Sequence, residues 1–143
     1  MSEALYDTDI VIWSERQGEL LRRIASGERV NDADLDWPNI AEEIESVGRS
    51  ELAAVKSLLR QALMHLLKAK AWPRSLAAPG WRAEARLFQA QARDHFSPSM
   101  RQRIDLAGLY EDALKALPDT IDGLPPLSVP QACPVTLDEL LAP

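Results

Sequence analysis

The sequence predicts an all-α chain: a four-helix, bundle-like domain built around one long helix, with a proline-rich C-terminal arm and a short terminal helix. Three observations carry that reading. Residues 36–73 keep a helical apolar period over their whole length. Alanine and leucine are abundant while β-branched runs are scarce, and proline stands at the ends of the periodic segments or in the tail. The 143 residues are taken as one domain, 1–143, large enough for a real core.

Asp7 is placed to cap a first helix over 8–26, with Gly27 as its stop. Its buried stripe reads Ile10, Trp13, Gln17, Leu20, Leu21 and Ile24, with Gln17 the polar exception. The acidic run GERVNDADL then connects to the long helix.

That helix spans 37–71. Asp36 is suited to the N-cap, Pro38 to the first turn, and Glu42, Glu43 and Glu45 to the positive end of the helix dipole. Ile40, Ile44, Val47, Leu52, Val55, Leu59, Ala62 and Leu66 recur in steps of three or four with one of five across Gly48. Counted on the stripe, Gly48 stands four residues from both Ile44 and Leu52, so it is expected on the buried face with the phase intact on both sides. Pro73 ends the helix. Glu51 falls inside the apolar sector, where an unpaired carboxylate would cost about 1–3 kcal/mol or more.

After the connector RSLAAPG a third helix is expected over 81–95, burying Trp81, Ala85, Phe88 and Ala92 and setting Arg82, Arg86 and Arg93 on a different side. Ser97-Pro98 starts a fourth over 98–117, closed by Pro118. The tail LPPLSVPQACPV cannot be regular helix and suggests an arm laid along the bundle through Leu124, Leu127 and Val129. Thr136 and Glu139 form a capping box for a last helix over 137–142.

The N-terminal residues show no basic region followed by an apolar run, and no stretch approaches the ~18 apolar residues of a membrane span. No membrane role is expected, and the cytoplasm is the default address. The single cysteine, Cys133, fits a reducing compartment, and with two histidines it excludes a finger-type zinc site by ligand count. No cofactor is implied.

The net charge of −6 is unevenly spread: residues 1–55 carry −8, residues 56–103 carry +8 and residues 104–143 carry −6. Such segregation means either internal pairing of acidic and basic helices or a basic face used for binding. Lys68, Lys70, Arg74, Arg82, Arg86 and Arg93 form the candidate basic face. Rows of this kind can track phosphates, with Trp72 or Trp81 stacking bases, although the acidic total and the absence of a helix-turn-helix signature weigh against nucleic acid.

Glu42 and Glu45 are neighbours on one helical surface and with His65 are the weak metal candidates. No histidine completes a Glu-x-x-His motif, and acids at a helix start need no functional explanation. No serine stands at a strand-to-helix elbow, and no glycine-rich phosphate loop occurs. No catalytic residue is identified.

The stretches YDTDIVIW at 6–13, NIAEEIESVGRSE at 39–51, LMHLLK at 63–68, Trp81-Arg82 and CPVTLDELL at 133–141 run in order along nearly the whole chain. In these the chain resembles the bacterial family known as domain of unknown function number twenty-nine. It departs from that pattern where Val11 and Ile12 replace an aromatic pair. The resemblance implies a small all-helical bacterial protein and transfers no catalytic residue.

The reading that results is a non-enzymatic interaction module acting through the basic helix face or through self-association, with a protein partner or a second copy. Nucleic-acid binding is the first alternative and a metal-dependent enzyme using the helix-start glutamates the second. Antiparallel pairing of the first two helices also predicts a Gln17–Glu51 hydrogen bond inside the apolar seam, with Gly48 allowing a close approach.

Overall fold

The structure, a computed structural model, describes residues 2–143, with side chains described from Leu5 onward. It is all-α, and its contacts group into two compact units, one running through Arg49 and the other Ser50–Pro143. The longest element, α3 (Trp37–Ala71), contributes residues to both.

In the first unit the expected helix over 8–26 is α2 (Ile10–Ala25), and a further helix that was not expected, α1 (Ser2–Thr8), precedes it. Asp9 rather than Asp7 caps α2: it leaves helical geometry at φ −150° and its side chain accepts from the Ile12 N–H. The other end closes on Gly27 at φ 90°, where the Gly27 N–H reaches Ile24 O and the Glu28 N–H reaches Arg23 O. That pair of bonds is a Schellman cap, which favours glycine at this position.

Among the described residues Trp13, Leu35 and Ile40 form the buried apolar cluster here, with Leu5, Tyr6, Leu20 and Leu21 packed around them. The rest of the joint is polar. Asp36, 5% exposed, accepts from Trp13 Nε1 at 3.0 Å and from Asn39 Nδ2 at 2.8 Å. Gln17, equally buried, receives the Asp36 N–H on Oε1 and donates to Asp34 O. Tyr6 stacks edge-on to Trp13 and donates to Glu43.

Several residues of the expected stripes are exposed. Ile10 and Ile24 on α2, and Ile44 (68%) and Val47 (65%) on α3, face solvent. Periodicity groups residues on one face, but it does not supply a neighbour to cover that face. Gly48 is no close-approach site, since a Cβ built there meets nothing within 4 Å.

The second unit holds the larger core. Val55, Leu59, Leu63 and Leu67 from α3 meet Ala92 of α4 (Ala78–His95), Met100, Leu109, Tyr110 and Leu140. Ala78, Ala85 and Ala92 are fully buried, small side chains that let α4 lie close on its neighbours. α4 begins three residues earlier than the sequence suggests, because Pro79 lies within its first turn, where a missing N–H is tolerated, and is not part of the connector.

The expected helix over 98–117 splits. A 3-10 helix, Pro98–Arg103, is followed by α5 (Leu106–Lys115), which Asp105 caps by accepting from the Gly108 N–H. A Cβ at Gly108 would stand 2.6 Å from the Asp105 carboxylate, so a larger residue there would make the capping side chain shift. The arm then turns tightly at Asp122 and Gly123, φ 55° and 75°, with Ile121 and Leu124 exchanging both backbone bonds at 3.0 Å.

The arm packs Val129, Cys133 and Val135 on the core, and the tail is also fastened by its backbone carbonyls. Trp72 Nε1 donates to Leu124 O, Tyr110 Oη to Pro130 O, Gln89 to Leu140 O, and Arg93 to Leu141 O and Ala142 O. One arm N–H returns the favour, Leu127 to Ala71 O at the end of α3. Leu124 and Leu127, expected to lie against the bundle, are 58% and 59% exposed. The capping box forms at Thr136 and Glu139, opening α6 (Leu137–Leu141).

Two stability predictions follow from this packing. Gly48→Ala raises unfolding free energy by about 0.5–1 kcal/mol in urea denaturation, because the helix gains propensity and nothing is displaced. Trp13→Phe replaces the indole and removes one of the two side-chain donors to the buried Asp36 carboxylate, leaving Asn39, and lowers stability by about 1–3 kcal/mol in the same measurement.

Candidate functional site

The candidate basic residues separate by what they touch. Arg93 is half-buried and spent on the α6 carbonyls, so it is an anchor and not part of a free face. Lys68 holds its ammonium 5.9 Å from the centroid of the Trp81 ring, a cation–π contact that leaves it half-buried. Lys70 and Arg74 are exposed, Lys70 beside Leu66, Tyr110 and Pro134, and Arg74 in the turn after α3. Arg82 and Arg86 are exposed on α4 one turn apart. Among the described residues neither makes an ion pair.

Internal pairing accounts for part of the basic segment: Arg60 meets Asp112 at 3.2 Å and Arg101 meets Asp138. Lys70, Arg74, Arg82, Arg86 and Arg103 are exposed and make no ion pair among the described residues, and two of them, Arg82 and Arg86, stand on α4. Opposite its buried alanines, Gly80, Ala83 and Leu87 follow in steps of three and four, all exposed, Leu87 at 57%. At about 100° per residue, Arg82 and Arg86 lie along one edge of that seam. Glu84 lies along the other, and its carboxylate is taken by His65 Nε2 at 2.7 Å. The seam was readable in principle, since a helix that buries Trp81, Ala85, Phe88 and Ala92 must turn Ala83 and Leu87 outward.

Gln17 and Glu51, expected as a pair, each have other partners. Gln17 uses its amide on the backbone of Asp34 and Asp36, while Glu51 is exposed and lies 3.0 Å from His95 Nδ1. The physical reason is local: the buried loop backbone before α3 needs partners, and Gln17 is the side chain at that level. His65 and His95 thus make reciprocal rungs with α3 and α4, His65–Glu84 and Glu51–His95.

The weak metal candidates have different partners. Glu42 pairs with Arg49, Glu45 is exposed, and His65 has its Nδ1 2.8 Å from Gln61 O. Among the described residues no group of three His, Cys, Asp or Glu could hold a metal ion. No described helix is long and apolar enough to cross a membrane.

Sequence reading also missed a hollow of about 610 Å³ where the arm passes the end of α3, walled by Trp72, Pro73, Ile121, Leu124 and Pro125, with Arg74 and Asp122 on its lining. The signal for it was the Asp122-Gly123 pair, the two-residue turn that doubles the arm back.

The comparisons agree with this architecture. The model for the family described as domain of unknown function DUF29 matches residues 5–143, and the chain belongs to that family. No curated protein matches it. A crystal structure of an α-helical protein of unknown function from Rhodospirillum rubrum is 31% identical, covering 96% of this chain and 89% of that one with a TM-score of 0.70.

The Tyr6–Glu43 contact gives a spectroscopic prediction. The hydrogen bond to the Glu43 carboxylate pushes the Tyr6 hydroxyl up to about 12, and burial raises Tyr110. A raised folded-state value means that the contact's contribution is complete below the ordinary value near 10 and is lost as pH climbs through about 12. In an ultraviolet titration, Glu43→Gln brings the Tyr6 tyrosinate signal down toward about 10, while Tyr6→Phe leaves Tyr110 as the one titrating phenol.

Proposed function

We propose that this member of the family is a non-enzymatic interaction module that binds an acidic amphipathic helix of a partner protein along the outer side of α4. The observation that carries the reading is a pair of unpaired guanidinium groups, Arg82 and Arg86, beside the exposed apolar seam of Ala83 and Leu87. A helix laid on that seam buries its own apolar stripe against Leu87, and acids three or four residues apart along its edge meet the two arginines. A second copy suits this face poorly: antiparallel packing sets the arginine edge against itself, and parallel packing offers it Glu84, already bonded to His65. We place the module in the bacterial cytoplasm, a reading supported by the single free cysteine.

Titration calorimetry against a synthetic acidic amphipathic helix, the same helix with its charges inverted, and single-stranded RNA tests this. The acidic helix is expected to bind, and the double variant Arg82→Glu/Arg86→Glu to weaken it at least about tenfold. Equal affinity for the inverted helix overturns the reading. Preference for RNA, with affinity falling steeply with salt, assigns the face to phosphate instead.

A further inference from the structure

We infer that the hollow at the end of α3 is a self-association site, in which Leu76 of each copy fills the hollow of the other and Arg74 and Asp122 pair reciprocally across a two-fold axis. One large apolar side chain stands in solvent without a local reason. Leu76, in the turn between α3 and α4, is 99% exposed, so it contributes nothing to the core of its own chain. The residues immediately before it, Arg74 and Ser75, line the hollow of about 610 Å³. An apolar knob and an apolar hole therefore occupy a single patch of surface. A two-fold interface requires that arrangement, because both copies present the same patch. A head-to-tail contact would need the two features on different parts of the molecule.

The charges on the lining have the same self-complementarity. Arg74 and Asp122 both face the hollow, one basic and one acidic, and neither makes an ion pair among the described residues. A two-fold axis through the patch sets each against its opposite on the partner, giving two equivalent ion pairs from two unpaired groups. Leu124 and Leu127, 58% and 59% exposed on the arm, extend the apolar surface around the contact. This inference is independent of the α4 seam, which uses Arg82, Arg86 and Leu87.

Sedimentation equilibrium on the full chain tests it. The wild-type mass is expected to approach twice 15.9 kDa as concentration rises. Leu76→Asp holds the chain at the single mass with unchanged far-ultraviolet circular dichroism, since that side chain packs against nothing in its own chain. Arg74→Asp and Asp122→Lys each weaken association at least about tenfold. An equimolar mixture of those two variants restores the dimer, because residue 74 of the first then meets residue 122 of the second with opposite charge at both ends. Any cost of lysine at the positive φ of the turn is the same alone and in the mixture. A wild-type chain that stays at the single mass at all concentrations overturns the inference. So does a dimer indifferent to Leu76→Asp, or a mixture no tighter than its components.

Discussion

The fold depends on what keeps a 35-residue helix helical in water. A helix gains little from propensity once nucleation is counted, so α3 is held by whatever covers its sides. The two units answer that need differently. From Val55 onward the cover is apolar: Val55 and Leu59 are fully buried, and Leu63 and Leu67 nearly so. Near its start the buried apolar contribution of α3 is Ile40 alone, and the joint is completed by the Asp36 carboxylate, the Trp13 indole, Asn39 and Gln17. Such a joint tolerates little, because each buried polar atom needs its particular partner.

This difference explains how much of the fold was legible. The bounds of α3 and the inward side of α4 follow from apolar spacing, and α6 from its capping box, signals that act within one element. Ile44 and Val47 obey the same spacing and are nevertheless exposed, because a pattern cannot report that no element lies opposite. The breaks at Asp9 and Asp105 were hidden for another reason. Each aspartate could equally be a surface residue of a continuing helix, and only the bond to the backbone three residues on decides. Gln17 was legible as a buried polar residue, but its partner was not, since main-chain acceptors and donors leave no mark in a sequence.

The candidate faces follow a similar logic. Charge counting located the basic stretch but could not divide it. The structure spends Arg60, Arg93 and Arg101 internally and leaves Arg74, Arg82 and Arg86 without acidic partners among the described residues. Of the free ones, Arg74 stands two residues before the exposed Leu76 and Arg86 immediately before the exposed Leu87. Apolar contact supplies attraction, and adjacent charge chooses which surface is admitted.

The fastening of the arm has a consequence for how this sequence can drift. Proline removes backbone donors, so a proline-rich segment carries more acceptors than it can satisfy itself. Here two of those carbonyls are read from outside the arm, Leu124 O by Trp72 just past the end of α3 and Pro130 O by Tyr110 of α5, while Gln89 and Arg93 take carbonyls at the end of α6. Because a carbonyl is the same whatever residue bears it, exposed arm positions such as Pro126 and Ser128 are free to change so long as the path is kept, although Val129, Cys133 and Val135 pack on the core. The positions that carry the readers are not.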